Sequence, residues 1–257
     1  MKDPTELASE LDTARRSGVT ISSRRGTEHA LSLDRAYEIG RRLELERMAA
    51  GWRPVGWKLG FTNQALWSRL GLDRPIRARL YQQTVCTGDL DTADLITPRI
   101  EPEIVVGFRT AVPEGSGVDT IAGAIGWVAA GLEVVQCHFT DWELTPAEAV
   151  ADAGLHAALA IGPKAAVDSA AVRGLASATC ELLRDGVQVA TGFGGDVLGG
   201  PLDALQWLLS RLPSGVLEGE VVTTGTLTMA LPIRRGEQWE HRLAASIPIE
   251  PVTLTLR

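Results

Sequence analysis

The segment Arg99-Ile100-Glu101-Pro102-Glu103-Ile104-Val105-Val106 sets two carboxylates two residues apart in an apolar, β-branched run. On an extended strand, side chains at i and i+2 leave the same face, so Glu101 and Glu103 can converge on one point. A third acid, Glu133, interrupts the apolar run Gly131-Leu132-Glu133-Val134-Val135. A carboxylate in such company is costly to bury unless a cation or dense hydrogen bonding compensates it. Three oxygen donors on strands suit a hard divalent cation such as Mg2+ or Mn2+. An E-x-E pair is also common on solvated strand faces, and the pattern alone leaves both readings open.

Other residues carry weaker signals. Lys58 lies in Gly56-Trp57-Lys58-Leu59-Gly60-Phe61 between large apolar groups. Lysines so placed commonly extend their stems along apolar surface; beside an anionic substrate the same ammonium can pair with a carboxylate or relay a proton. Thr223-Thr224-Gly225-Thr226 forms a hydroxyl-rich turn after an apolar strand. Such threonines are ordinary strand residues, yet the hydroxyls and the Gly225 amide suit a small oxo acid. The glycine-rich stretch Thr191–Gly200 has neither the G-K-[ST] of a P-loop nor G-x-G-x-x-G spacing before a helix. His138 and His156 fit packing roles, and no nucleophile elbow or Cys–His context supports acyl-enzyme chemistry.

The elements that must position these groups follow from patterning. Leu7, Leu11 and Ala14 recur at helical spacing before Gly18, and Ser32 can cap a second helix bearing Ala36, Ile39 and Leu43, closed by Gly51. From Val55 the texture changes to short β-branched runs: Val55–Leu59, Glu103–Phe108, Leu132–Cys137, Cys180–Arg184, Val187–Ala190, Val221–Thr224 and Val252–Leu256. Asp185-Gly186 is a type I′ hairpin signal. Thr62 can cap a helix ending before Gly71, and Thr145-Pro146-Ala147-Glu148 is a capping box opening a helix to about Ala153. A third helix runs from Pro201 with Leu202, Leu205, Leu209 and Leu212 on its apolar side, stopped by Pro213. Strands dominate without regular alternation with helices, which predicts an α+β fold.

At 257 residues and 45 % hydrophobic the chain can bury one substantial core. A net charge of -7 with interspersed signs argues against nucleic acid or an anionic membrane as partner. Cys86, Cys137 and Cys180 are odd in number and widely spaced, suggesting neither a zinc knuckle nor a disulfide framework. A polar N-terminus and the lack of a long apolar run give the expectation of a cytoplasmic chain.

In order along the chain, Gly56-Trp57-Lys58-Leu59-Gly60-Phe61-Thr62-Asn63, Pro98–Glu103, Leu132–Val135, Asp141-Trp142, Ala151-Asp152, Leu198–Leu205 and Thr223–Thr226 resemble the 2-keto-4-pentenoate hydratase family. That family includes 2-oxo-3-hexenedioate (4-oxalocrotonate) decarboxylases and belongs to the fumarylacetoacetate hydrolase superfamily. Each motif is weak, but the ordered set, covering roughly residues 50 to 257, is specific.

The resemblance implies a helical N-terminal lobe (residues 1–54) on a mixed β-roll catalytic domain (residues 55–257). It also implies Mg2+ or Mn2+ held by Glu101, Glu103 and Glu133, and an active Lys58. Thr224, Gly225 and Thr226 are candidate substrate contacts, and Asp152 a candidate for acid–base or supporting work.

The implied reaction is addition of water to a 2-hydroxy-2,4-dienoate, giving a 4-hydroxy-2-oxo acid by way of a metal-stabilised enolate. Decarboxylation of a vinylogous diacid is the alternative. An acylpyruvate hydrolase and a non-catalytic partner subunit are more distant ones. Glutamate rather than aspartate as the third acid, with no histidine in an obvious His–Glu pair, favours the hydratase/decarboxylase branch over the hydrolases. Ile76 stands where several hydratases carry an acid, so no acid–base role transfers to it. The expected partners are a small 2-oxo or 2-hydroxydienoic acid, further copies in a homo-oligomer, and an associated enzyme of the same family.

Overall fold

The computed structural model describes residues 4–27, 30–70 and 72–257. Two helices, α1 (Pro4–Ser17) and α2 (Leu33–Ala49), precede the first strand. Leu7, Leu11, Ala14, Ala36 and Ile39 are buried, as their spacing predicts. Ser32 caps α2, its hydroxyl accepting from the Arg35 amide. The helices share one apolar cluster with Ile76, Val135, Phe139 and Val150, which fastens them to the strand region.

The strands form two sheets, and the fold is α+β. Nine strands make the larger sheet: β1 (Pro54–Gly60), β2 (Ile76–Tyr81), β3 (Val85–Cys86), β5 (Arg99–Phe108), β6 (Ile125–Val135), β7 (His156–Ile161), β8 (Ala165–Ala166), β11 (Val221–Thr226) and β12 (Leu231–Pro232). Five make the smaller: β4 (Gly88–Leu90), β9 (Thr179–Arg184), β10 (Val187–Phe193), β13 (Gln238–Ala244) and β14 (Val252–Leu256). Both mix parallel and antiparallel pairs. Asp185 and Gly186 have φ of 51° and 77°, as the hairpin between β9 and β10 requires.

Five short helices fill the connections: α3 (Trp67–Leu70), α4 (Val118–Ala124), α5 (Pro146–Ala151), α6 (Ser169–Gly174) and α7 (Pro201–Leu209). The Thr145/Glu148 capping box opens α5, with Pro146 in its first turn. Several boundaries differ from expectation; β5 begins at Arg99 rather than Glu103, and β10 runs on to Phe193. The turn before α3 is capped by Asn63, whose side chain accepts from the Ala65 amide, rather than by Thr62; Gly71 lies outside the described residues. α7 ends at Leu209, where the Ser210 amide bonds back to Gln206, although Leu212 is still buried. The strand expected over Leu132–Cys137 begins at Ile125 and ends at Val135.

Strand order is what assembles the site. β1, β11, β5 and β6 lie side by side in the larger sheet. Glu101 on β5 stands directly opposite Glu133 on β6, and Lys58 on β1 is paired with Thr223 on β11. Four segments far apart in sequence thus bring their polar residues to one region.

Candidate active site

Glu101, Glu103 and Glu133 each offer a carboxylate oxygen, and these oxygens lie within 4.8 Å of one another. Oxygens about 2.0–2.5 Å from one shared ion lie up to about 4–5 Å apart, so the set matches a hard divalent cation. The donor chemistry fits as well. Glu103 and Glu133 are fully buried, and Glu103 Oε1 and Glu133 Oε2 receive no hydrogen bond from any described N–H or O–H group. Buried acceptors without partners are rare and call for an ion or a proton.

The remaining oxygens are fixed. The Gly225 amide donates to Glu103 Oε2 at 2.9 Å. This contact depends on a register shift in β11 between Thr223 and Thr226, where Gly225 adopts φ +110°. A Cβ there would stand 2.0 Å from Thr62 Oγ1, so glycine is required twice over. Glu133 Oε1 lies 2.9 Å from Lys58 Nζ and 2.7 Å from His156 Nδ1, while His156 Nε2 meets Thr84 Oγ1 at 2.8 Å. Lys58 Nζ also donates to the Gly154 carbonyl at 2.9 Å. Gly154, at φ +66°, would carry a Cβ only 2.7 Å from that of Ala78.

The electrostatics separate the three acids. Burial, with the Glu133 charge, raises Glu101 to about 7, and burial with that same charge pushes Glu103 well above the carboxylate range. Burial opposes ionisation of Glu133 too, but the Lys58 ammonium and the His156 hydrogen bond outweigh it and hold Glu133 at about 2. Burial alone would depress Lys58, yet the three carboxylates raise it, so the ammonium stays charged. A cation at the cluster would replace the protons that Glu101 and Glu103 retain.

The cluster opens through Glu101 and Lys58 into a cavity of about 250 Å³. Its walls are largely apolar, including Phe61, Leu72, Ile76, Val135 and Leu155, with polar groups from Thr62, Asn63, Arg99 and Thr226. Arg99 stacks its guanidinium 4.0 Å from the Trp142 ring centroid. Thr62 is buried with its hydroxyl unpartnered among the described residues, so the residue first seen as a helix cap belongs to the cavity wall.

Four sequence expectations need correction. Thr224 does not line the cavity; it is fully buried and its hydroxyl donates to the Ile104 carbonyl at 3.3 Å. The Gly225 amide serves Glu103, not a substrate. Asp152 is turned away, bonded to Arg15 Nη2 at 2.8 Å and to His138 Nδ1 at 2.8 and 2.9 Å, so it ties α1 to the strand region. His156 does sit in a His–Glu pair, although no sequence neighbour of either residue signals it. It is fully occupied behind Glu133. Thr226 lines the cavity, its hydroxyl donating to the Thr228 carbonyl at 2.9 Å.

Residues 80–249 match the family model for the fumarylacetoacetate (FAA) hydrolase C-terminal region. The chain is also 31 % identical over 245 residues to the 2-keto-4-pentenoate hydratase of Paraburkholderia xenovorans (strain LB400), covering 91 % of this chain and 89 % of that relative. The chain belongs to the fumarylacetoacetate hydrolase family. Within the family it groups with the hydratases and decarboxylases, and is a lyase. A 4-oxalocrotonate decarboxylase from Pseudomonas sp is 28 % identical over 244 residues, 90 % of this chain and 91 % of that one. Among solved structures, the 4-oxalocrotonate decarboxylase from Pseudomonas putida G7, complexed with magnesium and adipate, superposes with a TM-score of 0.89 at 23 % identity, covering 99 % of this chain and 97 % of that one. No helix among the described residues is long and apolar enough to cross a membrane.

Proposed function

We propose that the protein hydrates a 2-hydroxy-2,4-dienoate to a 4-hydroxy-2-oxo acid. The observation that carries this reading is the convergence of Glu101, Glu103 and Glu133, beside a buried charged Lys58, at the head of a cavity with mostly aliphatic walls. The three carboxylates would hold Mg2+ or Mn2+, which when bound supplies a Lewis acid toward the 2-oxo group and carboxylate of the substrate.

The chain's own residues would do the rest. The Gly225 amide and His156 fix Glu103 and Glu133 so that their orphan oxygens face one point. Lys58 Nζ, held by Glu133 and the Gly154 carbonyl, is placed to anchor the substrate carboxylate or move a proton at the diene as it ketonises. The aliphatic walls would take the uncharged end of the dienoate and exclude bulk water from all but the reacting position.

A second reading has its own support. Arg99 lines the same cavity, two residues from Glu101 on one strand, and forms no ion pair with any described carboxylate. A guanidinium there suits the far carboxylate of a vinylogous diacid, whose decarboxylation passes through the same dienolate.

Parallel assays separate the two. Purified protein with Mg2+ is given 2-hydroxypenta-2,4-dienoate, following loss of the dienol absorbance and formation of the 4-hydroxy-2-oxo acid, and 2-oxohex-3-enedioate, following CO2. Hydration of the monoacid without CO2 release from the diacid is the expected result. CO2 release alone would replace the hydratase reading with the decarboxylase one.

A further inference from the structure

A second cavity of about 250 Å³ lies between α2 and β2, the edge strand of the larger sheet. Four arginines line it (Arg41, Arg47, Arg77 and Arg79) against a single acid, Glu44. Arg79 is neutralised by Glu220 at 2.7 Å. Arg41, Arg47 and Arg77 form no ion pair with any described carboxylate, and Glu44 itself lies beyond salt-bridge distance of all four.

Aromatic rings stack three of these guanidinium groups, while Glu44 attracts all four without pairing with any. The Arg77 guanidinium lies 4.6 Å from the Tyr37 ring centroid, Arg79 lies 3.6 Å from that of Trp57, and Arg47 lies 5.2 Å from that of Tyr81. Stacking leaves the edge of the Arg77 guanidinium, with its N–H donors, free to meet an oxyanion, and among the described residues Arg47 shares its edge only with the Tyr81 hydroxyl. Two donors at this cavity are already buried and unmatched: Arg77 Nε and Trp57 Nε1 have no hydrogen-bond partner among the described residues. Trp57 is only 6 % exposed, so its indole N–H has little access to bulk water. Buried donors without acceptors beside uncompensated guanidinium groups indicate a missing anion.

We infer that this cavity is a second, non-catalytic site for a compact multivalent oxyanion, either a phosphorylated metabolite or a small polycarboxylate. The guanidinium forks of Arg41, Arg47 and Arg77, none of them ion-paired, match such a ligand, and the cavity of about 250 Å³ suits a compact one. The site backs onto the catalytic one residue by residue. Trp57 lines the anion cavity and Lys58 the catalytic one; Arg77 and Ile76 divide in the same way, as do Ala153 and Gly154. Gly154 supplies the carbonyl that holds Lys58 Nζ. An occupant here therefore bears on the strands and turn that set the position of Lys58.

The test is calorimetric titration of the Mg2+-loaded protein with inorganic phosphate and, separately, with tricarballylate. Saturating pyruvate keeps both probes out of the catalytic cavity. One equivalent of at least one probe should bind, with affinity at least tenfold weaker in both Arg77→Met and Arg47→Met and unchanged in Arg242→Met, a surface substitution on β13. Because Arg47→Met leaves β2 untouched, it guards against misfolding of the edge strand, and thermal melts accompany each variant. Phosphate binding alone assigns a phosphate ester, and tricarballylate binding alone a polycarboxylate. Failure of both probes to saturate by 10 mM would overturn the inference. So would binding that survives in both arginine variants, or oligomer loss in those variants with no anion bound by the wild type.

Discussion

Replacing Lys58 by Met removes one buried charge while keeping most of the side chain's volume. The ammonium lies 2.9 Å from Glu133 Oε1 and is 3 % exposed. At an effective dielectric constant of about 20, that separation corresponds to an attraction of about 6 kcal/mol, much of it offset by the desolvation of both ions. Deleting one member of such a pair costs about 3–5 kcal/mol, because the other is left buried and uncompensated. For a chain of 257 residues, 1 kcal/mol moves Tm by about 2 °C, so metal-free Lys58→Met should melt roughly 6–10 °C below wild type. Saturating Mg2+ should recover most of that difference, since the cation supplies the charge that the ammonium no longer does. The metal-induced rise in Tm should thus be larger in the variant than in wild type. Activity should not recover: kcat/KM with saturating Mg2+ should stay at least about 100-fold down, about 2.7 kcal/mol of transition-state stabilisation. Melting within about 2 °C of wild type without metal would show that Lys58 does not neutralise the acid cluster. Activity within tenfold of wild type would remove the ammonium from the chemistry.

Three further outcomes follow from the same geometry. Gly225→Ala forces a Cβ to within 2.0 Å of Thr62 Oγ1 and strains a φ of +110°, so Mg2+ affinity measured by calorimetry should fall at least tenfold as Glu103 loses its amide. Metal binding should release protons and tighten as pH rises through about 7, because burial holds Glu101 protonated up to that value and Glu103 beyond it; affinity independent of pH between 6 and 8 would contradict this. Over the same rise the metal-free protein should lose the stability that protonated Glu101 contributes, against the opposite trend of His241, which burial holds at about 4. Glu101 is raised from an ordinary value of 4.5, so between 4.5 and about 7 this group binds more protons in the folded state than in the unfolded one, and its contribution to ΔG of unfolding falls with pH. Chemical denaturation of chelator-treated wild type and Glu101→Gln at pH 5.5 and 8 isolates the Glu101 contribution, and an equal pH dependence in the two would contradict it.

Much of the site was legible because its chemistry violates local expectation. Glu101, Glu103 and Glu133 stand out as acids in apolar strands, and the β-branched runs around them mark the strands. Pairing was not legible. Nothing in the composition of His156–Ile161, rich in alanine, announces a strand, and the apolar/polar alternation of Ile76–Tyr81 marks a strand without saying where it pairs; these two carry His156 and the edge of the sheet. The same limit explains Asp152 and Thr224: their types suit a site, but which face they present depends on Arg15, His138 and Ile104, partners distant in sequence. Gly225 was expected to bind a ligand. Its positive φ and the bulge in β11 instead turn its amide onto a carboxylate, which only the register between β11 and β5 reveals.

The central claim is that the three carboxylates and Lys58 together enolise a 2-oxo acid. Exchange of the C3 protons of 2-oxobutanoate for deuterium, followed by NMR in D2O, tests it most directly, since exchange requires the enolate and no later step. The account predicts exchange that needs Mg2+ or Mn2+, stops on chelation, and falls at least about 100-fold in Lys58→Met and in Glu133→Gln. Exchange at the full rate after chelation, or undiminished in both variants, would contradict it.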